Sequence, residues 1–199
     1  MSLTPSSMKL KPGDPAPDFR GLKCATCGHG HSLSDFNNTK ALLVIFMCNH
    51  CPYVRAKAET ITALNEKYSG RGVEVLGINS NDAAGYPEDD FEGMRREVKS
   101  REYEFHYVAD ESQDAARAYG ASCTPDPFLF DSQRKLAYHG RFNDALEPGT
   151  QAKTADMEDA IDAVLSGRKP PHEFLASIGC SIKWKKQPEG FSPRLLARG

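Results

Sequence analysis

The sequence predicts a three-layer α/β domain built on a central mixed sheet, and three observations predict it. The run ALLVIFM (41–47) is apolar at every position, the pattern of a strand covered on both faces. Apolar residues then recur at steps of three and four, as on an amphipathic helix, before a second strand-like run, VEVLGI (73–78). Residues 41–78 thus read strand, helix, strand, a right-handed crossover that lays the two strands parallel. Third, PFLFD and KLAYHG flank the polar turn SQR, an antiparallel hairpin that makes the sheet mixed.

Taken in order, residues 1–9 read as an irregular N-terminal arm, 10–168 as the domain, and 169–199 as an irregular tail. The tail holds four prolines and a small apolar knot, SIGCSIKW. CATCGHGH (24–31) is the glycine-bearing tip of an N-terminal hairpin. Pro52 fits the first helical turn, where its missing N–H costs nothing. Val54, Ala58, Ile61, Leu64 and Tyr68 form the buried stripe of that helix, and Gly70 ends it. A helix inserted over 87–99 carries Phe91, Met94 and Val98 on one face. FHYVA (105–109) is a short strand, and 112–119 a helix capped by Ser112 and stopped by Gly120. The last helix, 156–165, turns Met157, Ile161, Val164 and Leu165 inward and stops at Gly167.

Of 199 residues, 39% are hydrophobic and 26% charged, with a net charge of −2, so one decorated domain can bury its own core. No basic surplus points to nucleic acid or to a membrane surface. The longest apolar run, 41–48, is far short of the roughly 20 residues that span a bilayer. The first residues lack the apolar centre of a secretory signal, which sets a cytoplasmic expectation. Six cysteines are too few and too scattered for a disulfide-stapled miniprotein, and in a reducing compartment they point to catalysis or metal.

Cys48, Asn49, His50 and Cys51 stand where the first strand meets the helix. The thiolate is the reactive form of cysteine, and a helix N-terminus stabilises it. With two residues between them, the thiols can reach each other. Cys48 then attacks a disulfide, Cys51 resolves it, and a protonated His50 favours the thiolate. Two inert buried cysteines, or half of a zinc site, are the alternatives. Thr124–Pro125 opens the strand that faces the thiol pair. Asn79, Ser80 and Asp82 follow the second strand, where loops of open α/β sheets line the site, although a plain loop has the same composition.

The order of elements, Cys48–Cys51 at a strand–helix junction and Thr124–Pro125 ahead of the hairpin together resemble the thioredoxin fold. PAPDF (15–19) and the inserted helix resemble a narrower branch, the peroxiredoxin-like and membrane-anchored thiol–disulfide oxidoreductases of the alkyl hydroperoxide reductase/thiol-specific antioxidant type. The likeness covers roughly 10–168. It implies that Cys48 is the nucleophile, Cys51 the resolving thiol and Pro125 a cis-proline against the disulfide. The Thr124 backbone would then pair with a bound peptide as an added strand does, with Asn49 and Asn79 beside it.

The chain also departs from that pattern. Ala41 and Ile45 stand where peroxiredoxins carry proline and threonine before the peroxidatic cysteine. LLVIFM supplies neither the tryptophan nor the buried acid usual before a thioredoxin pair, and the sole tryptophan is Trp184. Asn-His between the cysteines, in place of Gly-Pro, favours a more oxidising or isomerase-like pair.

Cys123 reads first as a small buried apolar residue and second as a third redox thiol. Cys180 either folds back over the site or pins the tail. Cys24, Cys27, His29 and His31 resemble one knuckle of a zinc site, with a labile disulfide or a plain polar tip as alternatives. His106, His139 and His172 stand alone. The leading expectation is a thiol–disulfide oxidoreductase that requires no cofactor, with zinc at the Cys24/Cys27 cluster as one alternative for that cluster. It would act on a protein or small-molecule disulfide with a thiol electron donor, as a monomer or homodimer. A thiol peroxidase and a metal-binding or redox-sensing module are the alternatives.

Overall fold

A computed structural model describes residues 3–186. Its strands are β1 (Leu3–Pro5), β2 (Leu22–Cys24), β3 (Gly30–His31), β4 (Ala41–Phe46), β5 (Val73–Asn79), β6 (His106–Ala109), β7 (Cys123–Thr124), β8 (Asp126–Asp131), β9 (Leu136–Gly140), β10 (Phe174–Leu175) and β11 (Ile178–Ser181). Its helices are α1 (Pro52–Tyr68), α2 (Phe91–Arg101), α3 (Asp114–Tyr119) and α4 (Asp156–Leu165).

The main sheet has the order β10-β9-β8-β4-β5-β6-β2-β3 and is mixed. β4 runs parallel to β5 and antiparallel to β8. Every residue of β4 is buried, and its side chains alternate between two cores. Ala41, Leu43 and Ile45 face the core shared with α1, α2 and α4. Leu42, Val44 and Phe46 face the one shared with α3 and the segment holding Ala16 and Phe19. A strand sandwiched in this way has no polar position to spare, which is why its sequence is unbroken apolar.

Pro52 is the first residue of α1, and Val54, Ala58, Ile61, Leu64 and Tyr68 are buried along it, as the spacing requires. The strand at β6, the hairpin β8–β9 and helix α4 also form where expected. α3 starts two residues late, because the Ser112 hydroxyl accepts from the Asp114 N–H and turns the chain before the helix begins. The inserted helix is broken in two. A 3-10 turn, Pro87–Asp89, precedes α2, whose N-cap Asp90 accepts from the Gly93 N–H.

The arm and the tail are more ordered than their composition implies. β1, β11 and β7 form a second, three-stranded sheet, and β10 extends the main sheet beside β9. Strands of two to four residues carry no readable period, and their partners lie more than thirty residues away in sequence. Residues 187–199 of the expected tail, and 1–2 of the arm, lie outside the described residues.

Candidate active site

The β4–α1 junction sets the site. β4 ends at Phe46, and Cys51 is the N-cap of α1, with Cys48 three residues before it. The helix end therefore bears most directly on Cys51. Opposite stands β7, joined to β8 by a cis Thr124–Pro125 peptide bond. Thr124 meets both sulfurs. Its hydroxyl lies 3.4 Å from Cys48 Sγ, and its carbonyl accepts from Cys51 Sγ at 3.1 Å.

The two thiols shift each other and titrate as a pair. The S–H of one supports the thiolate of the other, so the first proton leaves well below the ordinary thiol range and the second is held well above it. With the proton on Cys48, the Cys48 S–H lowers Cys51 to about 4 against the cost of burial; Cys180 and the Thr124 side chain also lower it. Cys48 is raised by Cys51, by burial and by the charge of Asp89. Proton transfer to Cys51 gives the other form, with Cys51 S–H on the Thr124 carbonyl and a Cys48 thiolate beside the Thr124 hydroxyl.

Asp89 is the buried acid that LLVIFM lacks, and it comes from the inserted turn. Its carboxylate accepts from the Asn49 N–H at 2.7 Å, His50 Nδ1 at 2.6 Å, Asn81 Nδ2 at 2.8 Å and Asn79 Nδ2 at 3.4 Å. Gly93 makes this possible: a Cβ there would stand 2.2 Å from the Glu88 carbonyl oxygen. In the sequence, PEDD reads as a solvated acidic start to a helix, and nothing local marks one of its carboxylates as buried.

The remaining expected residues divide. His50 sits by the pair, but its ring is directed to Asp89 and stacks on Tyr86 at 5.1 Å, while Nε2 finds no partner among the described residues. Asn49 and Asn79, expected at the substrate, are buried instead. The Asn49 side chain donates to the Glu88 carbonyl and accepts from the Tyr107 hydroxyl; Asn79 donates to that same hydroxyl. They brace the floor of the site, because the loop after β5 folds under Asp89 rather than out to solvent. Ser80 is likewise buried, donating to Asp110.

Cys123 is held high by burial, with its sulfur 3.8 Å from the Ser177 hydroxyl and from the Pro125 carbonyl oxygen. Cys180 contacts Cys51. Asp126, next after Pro125, bonds His139 Nε2 at 2.7 Å, and both are buried. His139, which stands alone in the sequence, is thus half of a buried pair beside the cis-proline.

Among the described residues two groups offer metal-ligating atoms that lie within 4.8 Å of one another. Cys48, His50 and Asp89 form one, and Cys24, Cys27, His31 and His106 the other. In the first, Asp89 is already saturated by donors. In the second, His106 stands where His29 was expected, because β6 lies beside β2 in the sheet, while His29 is exposed and outside the group.

The Redoxin family model matches residues 11–161, about three quarters of the sequence. The chain belongs to the Redoxin family. An uncharacterized conserved protein from Geobacillus kaustophilus is similar, at 38% identity and a TM-score of 0.89 over 94% of this chain and 99% of that one. A hypothetical protein from Sinorhizobium meliloti 1021 is 42% identical, with a TM-score of 0.87 over 92% of this chain and all of that one. The thioredoxin domain of a thiol-disulfide oxidoreductase from Bacteroides vulgatus shares the fold at 20% identity, with a TM-score of 0.55 over 66% and 89% of the two chains. None of the curated proteins matches the sequence. Family and fold together support a redox function. Among the described residues, no helix is long and apolar enough to cross a membrane.

Proposed function

We propose that this Redoxin-family protein is a thiol–disulfide oxidoreductase working through Cys48 and Cys51. The observation that carries the reading is a cysteine pair at the N-terminus of α1 with both sulfurs on Thr124. The Cys48 thiolate attacks a substrate disulfide, forming a mixed disulfide and releasing one substrate thiol, which takes up a proton. The Cys51 thiolate then attacks the Cys48 sulfur, closes the Cys48–Cys51 disulfide and releases the second substrate thiol. Two protein thiols are oxidised and one disulfide is reduced. Thr124 serves both sulfurs: its hydroxyl can donate to the Cys48 thiolate, and its carbonyl holds the Cys51 proton until resolution. The substrate is a protein or small-molecule disulfide, and a thiol donor resets the pair.

Equilibration against a glutathione series, read by alkylation and mass spectrometry, tests this reading. An intramolecular Cys48–Cys51 disulfide is expected, and its absence at every poise would overturn the exchange mechanism. A potential near about −270 mV would mark a reductant, and one between about −120 and −200 mV an oxidant or isomerase. The peroxidase reading draws on the family alone. It would require the C51S variant to form a Cys48 sulfenic acid with peroxide far faster than free cysteine does.

A further inference from the structure

We propose that Cys24, Cys27, His31 and His106 bind one zinc ion that pins the β2–β3 hairpin to β6. The four donors come from two segments more than seventy residues apart, which only the sheet brings together. Cys24 Sγ lies 3.9 Å from His106 Nδ1, and Cys27 Sγ 3.1 Å from His31 Nε2. The edges of a tetrahedron with zinc–sulfur bonds of about 2.3 Å and zinc–nitrogen bonds of about 2.0 Å are of this size. The backbone holds the hairpin tip closed around the two cysteines, with the Cys24 N–H donating to the His29 carbonyl and the Gly28 N–H to the Cys24 carbonyl. Asp35 lies 3.6 Å from His31 Nδ1, on the far side of the ring from the cluster, where a carboxylate orients a ligating imidazole.

Two thiolates and two imidazoles suit zinc and exclude magnesium or calcium. Four protein ligands leave no open position, so the ion is structural, and its binding energy becomes stability of the hairpin. Elemental analysis of purified protein should find one zinc per chain. C24S/C27S should lose it and C48S/C51S keep it. Zinc affinity, measured by competition with a chelator, should fall at least about tenfold in H106A and stay unchanged in H29A. Metal-free protein that takes up no added zinc, or equal losses in H29A and H106A, would overturn the assignment.

A separate observation concerns the strand lying on the thiol pair. β11 pairs antiparallel with β7, with Cys180 opposite Thr124, and β1 closes its other edge. Gly179 lets it approach: a Cβ there would stand 2.0 Å from the Thr124 carbonyl oxygen. A disulfide-bearing peptide would add as a strand to this backbone edge beside the thiols, and the chain's own strand already fills it. Cys48 and Cys51 are only 1% and 0% exposed, in the same core cluster as Cys180.

We infer that β11 is a built-in pseudo-substrate whose Cys180 exchanges with the active pair. This rests on the exchange reading above. In the oxidised protein the Cys180 thiol attacks the Cys51 sulfur. A Cys51–Cys180 bond forms, the Cys48–Cys51 bond breaks, and the proton of Cys180 passes to Cys48. No electrons leave the protein, and Cys48 is returned as a free thiol.

Diamide oxidation followed by peptide mass spectrometry tests the step. C48S should form a Cys51–Cys180 disulfide, and C48S/C180S should not. Free Cys51 and Cys180 in oxidised C48S would overturn it. C180S separates the two readings: if it still closes Cys48–Cys51 while C48S forms nothing, only the pseudo-substrate fails. If C180S cannot close Cys48–Cys51, the exchange reading itself fails. G179A, which forces β11 off the Thr124 carbonyl, should speed reaction of the reduced pair with a bulky maleimide at least about tenfold. An unchanged rate in folded G179A would show that β11 does not cover the thiols.

Discussion

Replacing Asp89 by asparagine should make Cys48 more acidic while weakening the fold. Ligand atoms of Cys48, His50 and Asp89 lie within 4.8 Å of one another. Unit charges about 5 Å apart interact by about 3 kcal/mol at an effective dielectric constant of about 20. That field disfavours the Cys48 thiolate and so holds the thiol's pKa up. The direction agrees with the contribution of Asp89 to the high Cys48 value. The amide side chain would remove the charge but keep the shape. It would also point an N–H₂ group at donors that now share a carboxylate, His50 Nδ1 and Asn81 Nδ2 or the Asn49 N–H. One unpaired buried donor costs about 1–3 kcal/mol. The assay is the pH dependence of iodoacetamide labelling at Cys48, resolved by mass spectrometry, in C51S and C51S/D89N so that the partner thiol does not intervene. The midpoint should fall, and thermal unfolding of D89N should drop by several degrees. A midpoint that stays put or rises would refute the claim that the inserted turn controls the thiol.

Gly93→Ala should push the Pro87–Asp89 turn out of place, because its Cβ meets the Glu88 carbonyl oxygen at 2.2 Å. It should cost about 1–3 kcal/mol in denaturant unfolding and shift the Cys48 titration as D89N does; an unshifted titration would argue against the coupling. Asp126→Ala breaks a buried pair with His139 and should destabilise the protein by about 3–5 kcal/mol, whereas a loss under about 1 kcal/mol would show the pair to be dispensable. Alkaline pH offers a fourth check. Burial raises Tyr103 to about 12 and pushes Tyr107, Tyr119 and Tyr138 up as well. Their folded values exceed the unfolded value of about 10. The unfolded chain therefore ionises first, and stability present below about pH 10 is lost as pH rises towards 12. Tyrosinate absorbance of these residues should appear together with loss of tertiary circular dichroism. Full ionisation in a still-folded protein would contradict their burial.

Local patterns carried much of the fold. β4 is unbroken apolar because two cores claim its two faces, and α1 is legible because Pro52 and a stripe from Val54 to Tyr68 obey the helical period. The thiol pair was legible because strand, cysteine pair, proline and helix are consecutive, so their relative placement is a local matter. Thr124–Pro125 was legible as the start of a strand facing the pair, and the resemblance to a known fold added the cis bond. The tertiary structure alone decided the surroundings of the sulfurs. Asp89, His106 and Cys180 each act across tens of residues, Asp126 meets His139 across the β8–β9 hairpin, and none sits in a pattern of its own. Asn49 and Asn79 show the converse: polar residues at the right end of the sheet, which sequence position assigns to substrate, are consumed in holding a buried carboxylate. Sequence periodicity reports which face of an element is dry. Which charged group occupies that face depends on chain segments meeting in space, and that is settled by packing.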